Sequence, residues 1–165
     1  MTREASDFKI SDVLIGVISD THGLLRAEAL EALASSQLII HAGDIGSPEI
    51  LPKLNALAPV HAVRGNVDTQ PWAHEIPENT VVEVQGRLLY LLHDYKQLNL
   101  DPRASGFAAV IFGHSHVPKN ETLKGVLYFN PGSAGPLRFR LPVSVGRLRV
   151  SASGIQAEIV MLQPG

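Results

Sequence analysis

The chain contains no cysteine. Disulfides and thiolate metal sites are therefore excluded, so any bound ion must be held by His, Asp, Glu, Asn or water. Aromatic residues make up only 5% of the sequence, which leaves Val, Leu, Ile and Ala to build the core. No apolar run approaches the ~20 residues that a membrane-spanning helix needs. The opening segment, MTREASDFKISD, is polar and mixed in charge and lacks the apolar centre of a secretory signal. The expectation is a cytoplasmic protein with no membrane association. Charge of one sign is missing as well. The net charge is -2 without acidic or basic blocks, so nothing suggests electrostatic capture of nucleic acid.

The 165 residues suit one domain, 1–165, with residues 1–12 as a polar N-terminal extension. Short β-branched runs alternate with helical spacing in the first half. VLIGVIS (Val13–Ser19), QLIIHAG (Gln37–Gly43) and VHAVRGN (Val60–Asn66) read as buried strands. Between them, Leu25, Ala29, Leu30 and Leu33 follow a helical period within Leu25–Ser36. Ser47-Pro48-Glu49 reads as a capped helix start, with the helix ending near Ala58-Pro59. This order predicts parallel pairing through right-handed crossovers.

In the second half, Thr80–His93 predicts two strands turning at Gln85-Gly86, and Phe107–Gly113 a further buried strand. VLYFNPGS, VSVGRLRVSASG and IQAEIVML predict more strands, largely antiparallel, with Ser153-Gly154 as a hairpin turn. Val67–Asn79, with Pro71 and Pro77, reads as a loop. The predicted fold is α/β: two mixed β-sheets packed as a sandwich with helices on the outer faces.

The informative residues stand at strand ends. The first strand runs into SDTHG, with Asp20 and His22, and the second into AGDIG, with Asp44. The third runs into RGNVD, with Asn66 and Asp68. Later strands run into LLHD, with His93 and Asp94, and into FGHSH, with His114 and His116. In open α/β sheets, ligands bind at the carboxyl ends of strands. Residues at i and i+2 of an extended chain point the same way, so Asp20 with His22, and His114 with His116, can each aim two donors at one place. Imidazole, carboxylate and one amide suit a divalent first-row ion such as Mn, Fe, Co, Ni or Zn. Cations in excess of the carboxylates would attract an anionic substrate such as a phosphate ester.

The ordered series Asp20-Thr21-His22, Gly43-Asp44, Gly65-Asn66, His93 and Gly113-His114-Ser115-His116 resembles the calcineurin-like metallophosphoesterase superfamily. Within it, the chain is similar to the small single-domain phosphodiesterases of bacteria and archaea. Asn130-Pro131-Gly132-Ser133 and the tail PLRFRLPVSVGRLRV add to the likeness, which runs from Val13 to about Leu162. The resemblance implies the four-layer metallophosphoesterase fold and two divalent ions, manganese first, with Ni, Co, Fe or Zn as alternatives. It implies Asp20, His22 and His116 on one ion, Asn66, His93 and His114 on the other, and Asp44 bridging both. It further implies a phosphodiesterase in which a hydroxide bridging the ions attacks phosphorus, with Asp44, Asn66 and His114 in catalytic roles and a small phosphoester as substrate. A homo-oligomer is compatible with this reading.

Two positions depart from the family pattern. Many phosphatases of the superfamily carry a proton-donating His directly after the Asn; here Val67 stands there, as in the small phosphodiesterases that lack that His. Asp94 follows the ligand His where Gly is common, and is read either as a partner for an imidazole N–H or as solvent-facing. His41 and His61 read as sheet or core histidines, and His74 as a surface residue within reach of a substrate. Asp68 either orients a neighbour or caps a turn, and Arg138 and Arg140 read either as phosphate contacts or, the commoner case, as exposed or ion-paired. Two other functions fit the same resemblance. One is a non-catalytic protein-interaction scaffold like the retromer coat subunit of this fold, disfavoured by a complete ligand set. The other is a phosphomonoesterase, disfavoured by Val67 and the small size.

Overall fold

The β-branched runs fold as strands because each has a face to bury. The first half of the chain comprises β1 (Val13–Ile18), α1 (Ala27–Leu33), β2 (Leu38–His41), α2 (Ile50–Asn55) and β3 (Val60–Ala62). The second half comprises β4 (Asn79–Val84), β5 (Arg87–Leu92), β6 (Phe107–Ile111), β7 (Lys119–Leu123), β8 (Val126–Asn130), β9 (Ser144–Ser151) and β10 (Gly154–Met161). These assignments come from a computed structural model that describes residues 12–138 and 140–163. Apart from Asp12, the expected N-terminal extension lies outside the described residues.

Two five-stranded sheets result. The first has the order β10-β9-β1-β2-β3, with β1, β2 and β3 parallel and β9 antiparallel to β1. The second has the order β4-β5-β6-β8-β7. Their facing sides enclose one core: Ile15, Val17 and Ile40 from the first sheet meet Leu89, Leu91, Ile111 and Phe129 from the second. On the outer face of the first sheet, Ala29 and Leu33 of α1 and Ile50 and Leu54 of α2 close a second cluster against Ile18 and Ile39. The outer face of the second sheet is covered differently. Leu98 and Leu100, in the segment after β5, pack with Tyr90, Leu92, Val110 and Phe112.

Several expectations change in detail. Of the C-terminal strands expected to be largely antiparallel, β9 and β10 are so, whereas β8 pairs antiparallel with β7 but parallel with β6. Strand β7, KNETL, is exposed at every position and carries no hydrophobic alternation. It forms because Lys124 and Gly125, with φ of 52° and 82°, make the doubly left-handed two-residue turn that folds it onto β8. The same geometry, 52° and 74°, occurs at Gln85-Gly86 between β4 and β5, as predicted. Helix α2 begins only at Ile50, its N-cap position is Glu49, and no side chain caps it. Ser47 therefore does not fill the capping role its sequence context suggests. The final hairpin turns through Ala152-Ser153, and Gly154 already pairs with Ser151.

Candidate metal centre

The polar residues following β1, β2, β3, β5 and β6 meet at one end of the sandwich. Asp20, His22 and His116 bring donor atoms within 4.8 Å of one another, and so do Asp44, His93 and His114. Asp44 connects the two groups. Its Oδ2 lies 3.6 Å from His22 Nε2 and 3.2 Å from His93 Nε2. Asp20 Oδ1 lies 3.3 Å from His116 Nε2 and 3.7 Å from His22 Nε2. Asn66 joins the second group, with its Oδ1 3.2 Å from His114 Nδ1. The exposed His114 ring turns its other nitrogen, Nε2, toward Asp94 Oδ2 at 3.9 Å.

Asp20, Asp44 and His93 each have one atom tied down and another turned to the site. Asp20 Oδ2 accepts from the Ser19 hydroxyl at 2.7 Å and the His114 amide at 3.1 Å, while its Oδ1 has no hydrogen-bond partner. Asp44 Oδ1 accepts the Val67 amide at 3.1 Å, leaving Oδ2 to the imidazoles. His93 Nδ1 donates to the Ala42 carbonyl at 2.7 Å, which leaves its Nε2 lone pair facing the carboxylates. The buried Nε2 atoms of His93 and His22 are also unpartnered. Buried polar atoms are rarely left so. A carboxylate oxygen and two imidazole nitrogens that converge beside Asp44 fit a divalent-cation site, and imidazole held by a carbonyl on its far nitrogen is the usual form of a metal-binding His.

The electrostatics agree. Burial disfavours the charge of Asp20, but the surrounding imidazoles of His116, His22 and His93 and the Ser19 hydroxyl hold its carboxyl well below the usual range. Burial also works against Asp44, and the bond and charge of His93 with the Val67 amide still keep it ionised below its ordinary value. His93 is pushed the other way: burial lowers it, and the Asp44 and Asp20 carboxylates more than compensate.

The backbone explains how spaced pairs converge. Asp20, His22, Asp44, His114 and His116 have φ of 56°, 46°, 56°, 73° and 65°. These residues are left-handed rather than extended, so the same-side argument for i and i+2 does not apply to them. Left-handed turns aim Asp20 and His22 together but send His114 and His116 to different groups. Gly113 permits the approach of β6: a Cβ there would collide with the Ser19 hydroxyl and lie 2.7 Å from Asp20 Oδ2.

Residues 13–153 match the calcineurin-like phosphoesterase superfamily domain. The chain belongs to this superfamily. It is 37% identical over 160 residues to a probable metallophosphoesterase of Methanothermobacter thermautotrophicus, covering 90% of this chain and 92% of that protein. It is 31% identical to the phosphodiesterase YfcE of Escherichia coli, covering 79% of this chain and 84% of the relative. Its fold matches the solved vacuolar protein sorting 29 of Cryptosporidium parvum, with a TM-score of 0.73 and 19% identity over 91% of this chain and 97% of the other.

Around the phosphoesterase ligand groups stand residues whose importance the sequence did not disclose. Asp68 is buried, and its carboxylate accepts three backbone amides: Gly65 at 2.8 Å, Ile45 at 3.0 Å and Gly46 at 3.0 Å. It thereby ties the loop after β2 to the loop after β3. His41 is fully buried. Its Nδ1 accepts the Gly43 amide, so Nε2 carries the proton, donates to Thr21 Oγ1 at 3.0 Å, and Thr21 in turn donates to the Ile45 carbonyl. Asn130 is more than a turn residue. Its amide donates to the Gly113 carbonyl and Ser115 Oγ, while Ser133 Oγ donates to the Asp20 carbonyl. The Pro-Gly signal marked the turn but not this brace.

The remaining expectations sort cleanly. His61 is an exposed residue of the edge strand β3. His74 is exposed and shares a cavity wall with Asn66 and Asp68. Arg138 and Arg140 are exposed. Asp94 serves locally, its Oδ1 accepting the Lys96 amide. No helix among the described residues is long and apolar enough to cross a membrane.

Proposed function

We propose that this phosphoesterase is a binuclear, divalent-metal-dependent phosphodiesterase. The observation that carries the reading is the pair of ligand groups sharing Asp44, with unpartnered buried donors on both sides of it. Asp20, His22 and His116 would hold one ion, Asn66, His93 and His114 the other, and Asp44 would serve both. Manganese is the first choice, and Ni, Co, Fe and Zn suit the same nitrogen and oxygen donors. When bound, two such ions lower the pKa of water and neutralise charge on phosphoryl oxygens.

The chain's own contribution is orientation and access. Asn66 and His114 are exposed at the mouth, where a phosphoester would arrive, and the buried Asp20, Asp44 and His93 form the floor. Val67 is 44% exposed on the same rim and has no proton to give, so departure of the leaving oxygen relies on its own stability as an anion. A small phosphodiester with a good leaving group is the substrate class that follows. The scaffold reading has the fold of vacuolar protein sorting 29 in its favour, but a scaffold has no need of a complete set of aimed ligands.

Metal analysis of the purified protein, followed by bis(p-nitrophenyl) phosphate and p-nitrophenyl phosphate assays with Mn, Ni, Co, Zn and Mg, tests the proposal. The expected result is about two ions per chain and turnover of the diester well above the monoester, both lost in Asp44→Ala. Stoichiometric metal with no diester turnover would favour the scaffold, and a preference for the monoester would favour a phosphomonoesterase.

A further inference from the structure

Although the chain is poor in aromatic residues, five of them gather on and beside the outer face of the second sheet. Tyr90 packs on Phe107 with centroids 5.1 Å apart. Tyr95 lies against the buried Phe112 at 5.2 Å and 36°, and meets Tyr128 edge-on at 5.8 Å and 87°. These contacts fix the Tyr95 ring from two sides, and Asp94 fixes its backbone by capping the turn Tyr95–Gln97. Tyr95 nevertheless remains 44% exposed.

The exposed ring borders a cavity of about 530 Å³. Tyr95, Val117 and Pro118 provide apolar walls, Lys96 and Lys119 bring two cations, and His114 stands where the cavity meets the candidate metal centre. Val117 is itself 49% exposed. The volume falls within the range of small-molecule sites, which combine apolar walls with a few polar anchors. Asp94 and Ser115 add a carboxylate and a hydroxyl to the lining, beside the two lysines and His114. To these polar anchors the held aromatic ring adds a preference for a flat π-face.

We propose that this cavity is a subsite for a flat aromatic group on the phosphoester substrate, a nucleobase being the biological case, and that Tyr95 determines the preference for it. The phosphate would sit at the His114 end. The proposal uses the phosphodiesterase reading only to locate that phosphate.

The test is calorimetric binding of adenosine 5′-monophosphate and ribose 5-phosphate to the Mn-loaded protein, with Tyr95→Ala and Tyr95→Phe. The two ligands differ in the base alone. Stacking on one aromatic side chain should give wild type an affinity for the nucleotide about tenfold higher than for the sugar phosphate. Tyr95→Phe should retain the preference. Tyr95→Ala should abolish it while still binding ribose 5-phosphate as wild type does, which also certifies that the variant is folded. Equal binding of both ligands by wild type, or a preference that survives in Tyr95→Ala, overturns the subsite. A preference for the nucleotide in a protein that cleaves no diester would retain the subsite and reject the phosphodiesterase reading. Diester cleavage without any preference for the base would do the reverse.

Discussion

Asp68 offers the most direct check on how the centre is built. Its carboxylate receives amides from Gly65, Ile45 and Gly46, and no other side chain takes these three bonds. Hydrogen bonds to a charged acceptor contribute about 1.5–3 kcal/mol each when removal strands the donor. In Asp68→Ala, water can reach the part-buried amides of Gly46 and Gly65, so the full penalty falls on Ile45 and a partial one on the others. The expected loss is about 3 kcal/mol, which for a chain of this size lowers Tm by about 9 °C. Asp68→Asn keeps one oxygen for Ile45 and Gly65 but turns an amide N–H toward the Gly46 N–H, and should lose about 1 kcal/mol. Ile45 follows Asp44 directly, so slackening this loop should also weaken metal binding by about 10–100-fold, the range for groups that orient ligands. Urea unfolding of chelator-treated protein measures the first effect, and competition with a chromophoric chelator the second. If Asp68→Ala unfolds within 0.5 kcal/mol of wild type and binds metal as tightly, Asp68 does not hold the loops together.

Three further outcomes are expected. Burial, opposed only in part by the Asp20 and Asp68 carboxylates, holds the His41 imidazole at about 4, against ~6.5 in an unfolded chain. The unfolded state therefore binds the extra proton first as pH falls. The stability from neutral His41 is whole above pH ~6.5 and is lost by pH ~4, about 3 kcal/mol in all. Unfolding of chelator-treated protein between pH 7 and 4 should show this slope and His41→Gln should lack it; parallel curves would refute the assignment. His114→Ala and His116→Ala should retain different residual metal, since the two rings belong to different groups, and indistinguishable binding isotherms would contradict the division. Val67→His should flatten the dependence of log kcat/KM on leaving-group pKa, because a positioned acid contributes about 10²–10⁴-fold to poor leaving groups. A shallow wild-type slope that the substitution leaves unchanged would assign the proton donor elsewhere.

The sequence disclosed the centre better than it disclosed the structure around it. Asp20, Asp44, Asn66, His93, His114 and His116 were legible because each follows an apolar run, and burial of such runs is a strong local signal. Strand β7 was not, since KNETL buries no side chain and its pairing is set by a turn and a neighbour. The capping role expected of Ser47 failed because the chain makes a turn there before α2 begins. Asp68 and Asn130 were ambiguous for a common reason. Their partners are backbone groups from loops far away in sequence, and a polar residue near a turn carries no mark of which distant amide or carbonyl it will meet. The departure at Asp94 resolved into a local cap, which neither reading named, with its second oxygen 3.9 Å from His114 Nε2.

The left-handed backbone at five of the ligand positions has a consequence for the history of such chains. A non-glycine residue held there costs up to roughly 1–2 kcal/mol, least for Asp, and Asp20, His22, Asp44, His114 and His116 all adopt it at the proposed metal centre. Selection for the ions thus opposes selection for a robust chain at those five codons. A lineage released from the need for metal would gain stability by drifting to glycine or asparagine there, one position at a time, with the sandwich untouched. On the proposed reading, loss of catalysis from this scaffold is an energetically downhill path, while its recovery requires accepting strain before any ion is there to reward it.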